Sequence, residues 1–224
     1  MNAIVIDEPE FRFKKYVFKD REHAGKILAE KLSKYAGEDA IILAIPSGGV
    51  PIGKIVAKHI NARFDLMLVR KIQIPWNTEA GFGAITYDGV ILFNEPLMAE
   101  LGLTGEEIDN SISKTRNELM KRMKIFRGER PMPDLKDKVV ILVDDGLASG
   151  FTMLAAIQSV KGKMPRKIIV AVPTASSTAL NLIAPYVDEI VCLNIRSGYF
   201  FAVADAYMNW YDLTDEDVLK YLKE

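Results

Sequence analysis

Two adjacent carboxylates, Asp144 and Asp145, follow the aliphatic run VVILV and precede a run of small residues that leads to Thr152. Glycines in that run permit backbone conformations that other residues resist, and the free amide groups at the start of a helix bind anions. Ser149 and Thr152 add hydroxyl donors. Carboxylates bind phosphate poorly, but they accept hydrogen bonds from sugar hydroxyls and can face a divalent cation. Residues 144–152 therefore predict a site for a sugar phosphate.

The elements that must position these residues alternate along the chain. Five short, almost continuously apolar runs occupy 40–46, 64–70, 138–145, 167–173 and 187–195. Helical patterns occupy 20–37, 50–61, 151–163 and 176–186. Continuous hydrophobicity is typical of strands covered on both faces, as in parallel sheets. The alternation predicts an α/β fold, with a largely parallel twisted sheet flanked by helices, in a single domain over residues 1–224.

The alternation breaks between the second and third apolar runs. Residues 83–93 predict a hairpin with Asp88 and Gly89 at its turn. Thr104 and Glu107 then form a capping box that opens a long polar helix over about residues 105–127. We therefore expect a hairpin and long-helix insertion over about 82–130, and a C-terminal hood over about 195–224.

Two further segments lie where strands of this sheet would end, and ligands of open α/β sheets bind beyond those ends. Ser47, Gly48 and Gly49 follow the first apolar run and predict a tight, exposed backbone. Arg70 and Lys71 end the second run, and we expect them to point toward the same face. Two cations there suit an anionic leaving group such as pyrophosphate. The alternatives are a packed turn for the glycines and a solvated strand end for the cations.

Four aromatic residues, Tyr199, Phe200, Phe201 and Tyr207, follow the last apolar run. An exposed aromatic ring beside a sugar-phosphate site can stack on a planar ligand. Phe200 and Phe201 are the candidates for this base-stacking role. A buried aromatic cluster is the competing interpretation.

The run VVILVDDGLASGFT resembles the motif with which type I phosphoribosyltransferases bind 5-phosphoribosyl 1-diphosphate (PRPP). Together with DREHAGKILAEKL, SGGVPIG, VRKI and FFAVADAY, it resembles a subgroup of predicted phosphoribosyltransferases whose acceptor is unassigned. The resemblance implies that Asp144 and Asp145 hold the ribose hydroxyls and face Mg²⁺, directly or through water. It implies that the 5-phosphate is bound by Ala148, Ser149, Gly150, Phe151 and Thr152. It also implies that pyrophosphate is bound by Ser47, Gly48 and Gly49.

The activity implied by this resemblance is Mg²⁺-dependent transfer of the phosphoribosyl group from PRPP to a nitrogen acceptor, a nucleobase or related heterocycle, with release of pyrophosphate. Two positions depart from the family. Ser47 stands where related chains often carry a basic residue. Ala148 stands where hypoxanthine-type enzymes carry an acid that helps to deprotonate the base, which disfavours that kind of purine salvage. The alternative is a non-catalytic regulatory protein that binds PRPP or nucleotides on the same fold.

Composition narrows the partners and the compartment. With 29 basic and 30 acidic residues, the net charge of −1 gives no support for bulk attraction to nucleic acid or to membranes. The basic residues of the 105–127 helix, Arg122 and Arg127 among them, are interpreted as a solvated face, and the alternative is a nucleic-acid surface. No apolar stretch reaches the length of a membrane span, and the first residues do not resemble a signal peptide. The single cysteine, Cys192, cannot form an internal disulfide, which indicates a reducing compartment. Its side chain is expected to be buried in the core. We therefore expect a cytoplasmic protein.

Two expectations concern nucleophiles and self-association. A serine hydrolase at Ser47 or Ser149 is disfavoured, because both histidines, His23 and His59, are predicted to lie on helices away from these serines. A homodimer is expected, with the 105–127 helix and the segment FRFKKYVF at 11–18 as candidate surfaces.

Overall fold

A parallel sheet of six strands forms the centre of the computed structural model, which describes residues 3–198 and 200–223. Its strands are β1 (Ile4–Ile6), β2 (Ala40–Ala44), β3 (Arg63–Leu66), β7 (Val139–Val143), β8 (Lys167–Ser176) and β9 (Glu189–Arg196). They lie in the order β1-β9-β8-β7-β2-β3, and every neighbouring pair is parallel. The predicted α/β fold with a largely parallel sheet is confirmed.

Over the described residues, a second, antiparallel sheet and seven α-helices complete the fold. The strands of this sheet are β4 (Val69–Ile74), β5 (Asn77–Thr86) and β6 (Ile91–Phe93). The helices are α1 (Arg21–Lys31), α2 (Gly49–Ile60), α3 (Glu95–Leu101), α4 (Gly105–Arg127), α5 (Phe151–Lys161), α6 (Ser177–Ile183) and α7 (Asp215–Lys223). No helix within the described ranges is long and apolar enough to cross a membrane.

Burial on both faces explains the continuous apolar runs. Every residue of β2 and of β7 is buried. Successive side chains of a strand point to opposite faces, so Ile41 and Leu43 join the core beneath α5, whereas Ile42 joins the core beneath α1 and α2. Both faces of these strands therefore need apolar residues.

One predicted strand was wrong. The apolar run 64–70 divides into the end of β3 and the start of β4, which belong to different sheets. Residues 66–69 are buried throughout, because they pass between the two sheets. Hydrophobicity alone cannot show that a buried chain changes sheets. The predicted hairpin is present as β5 and β6, with Asp88 and Gly89 in its turn.

The long insertion helix begins and ends as predicted. The Thr104 hydroxyl accepts a hydrogen bond from the Glu107 amide at 3.2 Å, and the Glu107 carboxylate accepts one from the Thr104 amide at 2.8 Å. The helices α3 and α7 were not predicted. The side chain of Val218 in α7 is fully buried in a third core that also contains Leu119 and Phe126 of α4. The C-terminal helix therefore packs on the insertion.

We expect Thr104→Ala to lower the free energy of unfolding by about 1 kcal/mol, because the amide of Glu107 loses its capping partner. Urea denaturation followed by circular dichroism measures this change. Thr104→Ser keeps the hydroxyl and should retain most of the stability. Equal stability of the alanine variant and the parent would contradict the capping assignment.

Candidate active site at the carboxyl ends of β2 and β7

The loops after β2 and β7 lie in contact, because these strands are parallel neighbours whose carboxyl ends meet at one edge. A Cβ atom on Gly48 would lie 1.8 Å from Oδ2 of Asp145, and one on Gly49 would lie 2.5 Å from the carbonyl oxygen of Val143. The peptide bond between Pro46 and Ser47 is cis. The two glycines are therefore required by close approach of the loops. The expected exposed backbone was wrong at Gly49, which is buried and whose amide donates to the carbonyl oxygen of Ile45 at 3.0 Å.

The loop after β7 borders a cavity of about 520 Å³. Gly150 has a φ of +83°, which favours glycine, and α5 begins at the next residue. Ala148 and Ser149 are exposed. The cavity is lined by Lys71, Ala80, Gly81, Asn94, Leu97, Asp144, Gly146, Leu147, Ala148, Ser149, Gly150, Phe151, Thr152, Met153 and Val203. The predicted phosphate loop thus opens onto a cavity that includes one of the two acids.

The two acids have different surroundings. Asp144 lines the cavity, whereas Asp145 forms an ion pair with Arg21 of α1 at 2.9 Å. Burial raises the pKa of Asp144 well above its usual range, and the charge of Asp145 adds to the rise. Burial also raises the pKa of Asp145, although the charge and hydrogen bonds of Arg21 oppose that rise. The structure therefore separates an acid that faces the cavity from one that is already paired.

Aromatic residues of the C-terminal segment hold Arg21 in place. The guanidinium carbon lies 4.0 Å from the ring centre of Trp210, and Nη1 donates to the carbonyl oxygen of Tyr211 at 2.8 Å. The Tyr207 hydroxyl donates to the carbonyl oxygen of Asp145 at 2.6 Å. Sequence reasoning missed Arg21, since it lies 124 positions before Asp145 and no local pattern connects them.

Arg70 and Lys71 do not share a face, so that expectation was wrong. They are adjacent residues near the start of β4, and adjacent strand residues point to opposite sides. Arg70 forms an ion pair with Glu118 of α4 at 2.7 Å. Lys71 lines the cavity beside the phosphate loop. The structure therefore brings one of the two cations to the site.

The late aromatic residues are arranged differently from one another. Phe200 is 93% exposed, and the ring of Phe201 lies 4.4 Å from the guanidinium carbon of Arg196. Tyr207 is buried, and Tyr199 lies outside the described residues. The cavity is bordered instead by Val203. Its side chain packs so closely on Gly146 that a Cβ atom added there would lie 2.5 Å from Cγ1 of Val203. The base-stacking role of Phe200 and Phe201 stays a prediction.

Candidate metal ligands at the site are few. Within the described ranges, no group of three or more His, Cys, Asp or Glu side chains could hold a metal ion. Mg²⁺ commonly binds through one or two carboxylates, with the remaining positions filled by water and substrate phosphates. Asp144, a carboxylate at the cavity wall, fits such a site. Burial raises its pKa, and a nearby cation would favour its ionised form.

We expect Arg21→Met to lower the free energy of unfolding by about 3 kcal/mol, because it leaves the charge of Asp145 buried without its partner. The double variant Arg21→Met with Asp145→Asn should recover part of this loss. Thermal and urea unfolding of both variants measure the difference. A double variant no more stable than the single one would show that the loss comes from packing rather than charge.

Comparison with known proteins identifies the family that the sequence motifs resemble. The family model of the phosphoribosyl transferase domain matches residues 19–206. Two curated Mycobacterium tuberculosis proteins, from strains CDC 1551 and H37Rv and each named "Putative phosphoribosyl transferase", are 35% identical over 206 residues. The alignment covers 92% of this chain and 46% of each relative, so the chain spans about half the length of the curated relatives it matches.

Solved structures share the architecture. The crystal structure of TT1426 from Thermus thermophilus is 35% identical, with a TM-score of 0.74 over 92% of this chain and 97% of that chain. AQ2163 from Aquifex aeolicus, 13% identical with a TM-score of 0.51 over 84% of this chain and 78% of that chain, is similar in fold alone. Because the family model spans most of its length, the protein described here belongs to the phosphoribosyl transferase domain family.

Proposed function

We propose that the protein transfers the phosphoribosyl group of PRPP to a nitrogen acceptor and releases pyrophosphate. The observation that carries this proposal is the meeting of three features at one edge of the sheet. These are a glycine loop at Gly48 and Gly49, a carboxylate at Asp144, and a phosphate loop that opens α5. A sugar that carries a phosphate at one end and a diphosphate at the other matches this arrangement.

The 5-phosphate is assigned to the loop after β7. Amide groups at the start of α5 and the hydroxyls of Ser149 and Thr152 supply donors, and the positive end of the helix favours an anion. Lys71 adds a cation across the same cavity. These groups bind and orient the phosphate, so the anomeric carbon is held in a fixed position for attack.

The ribose hydroxyls are assigned to the acids, with Asp144 in the leading role because it lines the cavity. Asp145 contributes mainly by fixing the loop, since Arg21 already occupies one of its carboxylate oxygens. Mg²⁺, when bound, would supply positive charge for the departing pyrophosphate. The loop at Ser47, Gly48 and Gly49 would bind that pyrophosphate through the amides of Ser47 and Gly48, since the Gly49 amide already donates to the carbonyl oxygen of Ile45.

The acceptor is proposed to be a nucleobase or related heterocycle. Val203 and Leu97 contribute apolar side chains to the cavity lining and Asn94 a polar one, a combination that suits a planar ring with hydrogen-bonding edges. Phe200 and Phe201 are proposed to stack on such a ring. Ala148 has no proton-accepting group, so an acceptor of the hypoxanthine type is not favoured.

A regulatory protein that binds PRPP or nucleotides without catalysis is the second candidate. It is favoured by the ion pair between Arg21 and Asp145, which leaves one acid facing the cavity. The experiment that separates the two functions is a screen for pyrophosphate release from PRPP with purines, pyrimidines and small amines. Release with any acceptor supports the enzyme. Binding of PRPP without pyrophosphate release in the presence of any acceptor favours the regulator.

We also propose that the protein is cytoplasmic and that it forms a homodimer. Exposed apolar side chains support both of the predicted dimer surfaces: Phe13 and Tyr16 in the N-terminal segment, and Met120 and Ile125 on α4.

Asp144→Asn should weaken PRPP binding in the presence of Mg²⁺ by about 100-fold or more, because the carboxylate that faces the ligand loses its charge. The free protein should be at least as stable as the parent, since one of two adjacent, half-buried acids becomes neutral. Calorimetry and thermal melting measure the two effects. Asp109→Asn, an exposed position on α4, is the matched control. Unchanged PRPP affinity of Asp144→Asn would overturn the assignment.

Gly48→Ala should abolish PRPP binding, because its methyl group would displace Asp145 and open the contact between the two loops. Its φ of −63° is ordinary, so the effect would come from the clash and not from backbone strain. Gly105→Ala, where no atom lies within 4 Å of the added Cβ, is the control and should leave affinity unchanged. Parent-like PRPP affinity in Gly48→Ala would contradict the predicted close approach.

A further inference from the structure

A guanidinium from the insertion reaches the loop after β2. Arg122 of α4 donates from Nη2 to the Ser47 hydroxyl oxygen at 2.8 Å and from Nε to Oδ1 of Asp215 at 2.9 Å. Its side chain is only 15% exposed, so the predicted solvated face does not include Arg122, and its guanidinium carbon lies 5.3 Å from the ring centre of Phe126. The position of this cation beside the glycine loop is therefore set by contacts on several sides.

The glycine loop itself carries no cation. Residues 46–53 read PSGGVPIG, so within this segment an anion would find only backbone amides and the Ser47 hydroxyl. The bond from Arg122 to that hydroxyl has a neutral acceptor. Charge-assisted hydrogen bonds to phosphate oxygens are about twice as strong as neutral ones, and the guanidinium fork matches phosphate geometry. An anion on this loop would therefore gain from the adjacent Arg122.

The C-terminal helix places this arginine. Asp215 is the first residue of α7, and the buried Val218 one turn later anchors that helix in the core shared with α4. The carboxylate of Asp215 fixes one edge of the guanidinium, while Ser47 contacts the same side chain from the loop. Asp215 is therefore a positioning residue for Arg122.

We propose that Arg122 binds the diphosphate of PRPP and that Asp215 of the C-terminal helix holds it in place for this role. The proposal rests on the proposed function and adds a binding residue from outside the parallel sheet. It separates the diphosphate from the 5-phosphate, because Arg122 contacts the loop after β2 and is not among the residues that line the cavity of the phosphate loop.

The test compares two ligands that differ in the diphosphate. For Arg122→Gln, calorimetry with Mg²⁺ should show PRPP affinity lower by about 10- to 100-fold, with ribose 5-phosphate affinity nearly unchanged. Arg116→Gln, an exposed arginine of the same helix, is the matched control and should bind both ligands as the parent does. Asp215→Asn should show a smaller loss confined to PRPP, and Asp215→Glu should restore part of it. Thermal melting establishes that each variant is folded.

The outcomes of this test are distinct. PRPP affinity equal to that of the parent in Arg122→Gln would overturn the proposal, and so would equal losses for PRPP and ribose 5-phosphate, which indicate a structural role. A parent protein that binds ribose 5-phosphate and PRPP equally well would overturn it too, because the diphosphate would then contribute nothing. A parent protein that binds neither ligand would overturn the proposed function and, with it, this assignment.

Discussion

The contact between the glycine loop after β2 and the loop after β7, which carries Asp144 and Asp145, is the constraint on which the site depends. It follows from the parallel pairing of β2 with β7, which brings two carboxyl ends to the same edge of the sheet. At Gly48 the backbone approaches Asp145 so closely that no side chain fits between them. The two loops can meet there only because Gly48 and Gly49 have no side chains.

Two acids at the end of a buried strand are costly, and the fold offsets that cost unequally. Arg21 neutralises Asp145, and the aromatic residues of the C-terminal segment surround the guanidinium. Asp144 forms no ion pair within the described residues, and burial beside the charge of Asp145 raises its pKa. Such a perturbed group in a cavity is typical of functional sites, because a ligand or a metal ion can supply the missing partner.

Elements outside the parallel sheet supply several of the side chains at or beside the candidate site. The antiparallel sheet contributes Lys71, the long insertion helix contributes Arg122, and the C-terminal segment contributes Val203 and Asp215. The third core binds the insertion and α7 together through Leu119, Phe126 and Val218. This core also contains Ala44 of β2 and Leu66 of β3, so it joins the insertion and α7 to the edge of the main sheet.

The sequence by itself determined the local features of this protein: buried strands alternating with helices, a capped helix over 105–127, and a loop of small residues after β7 that predicts a sugar-phosphate site. These depend on periodicity, capping and backbone freedom, which are properties of neighbouring residues. Only the tertiary structure decided that β4 leaves the main sheet, that Lys71 rather than Arg70 faces the cavity, and which acid is paired. Each of these depends on a partner far along the chain, such as Arg21 for Asp145, and burial and charge pairing arise only when distant segments pack together.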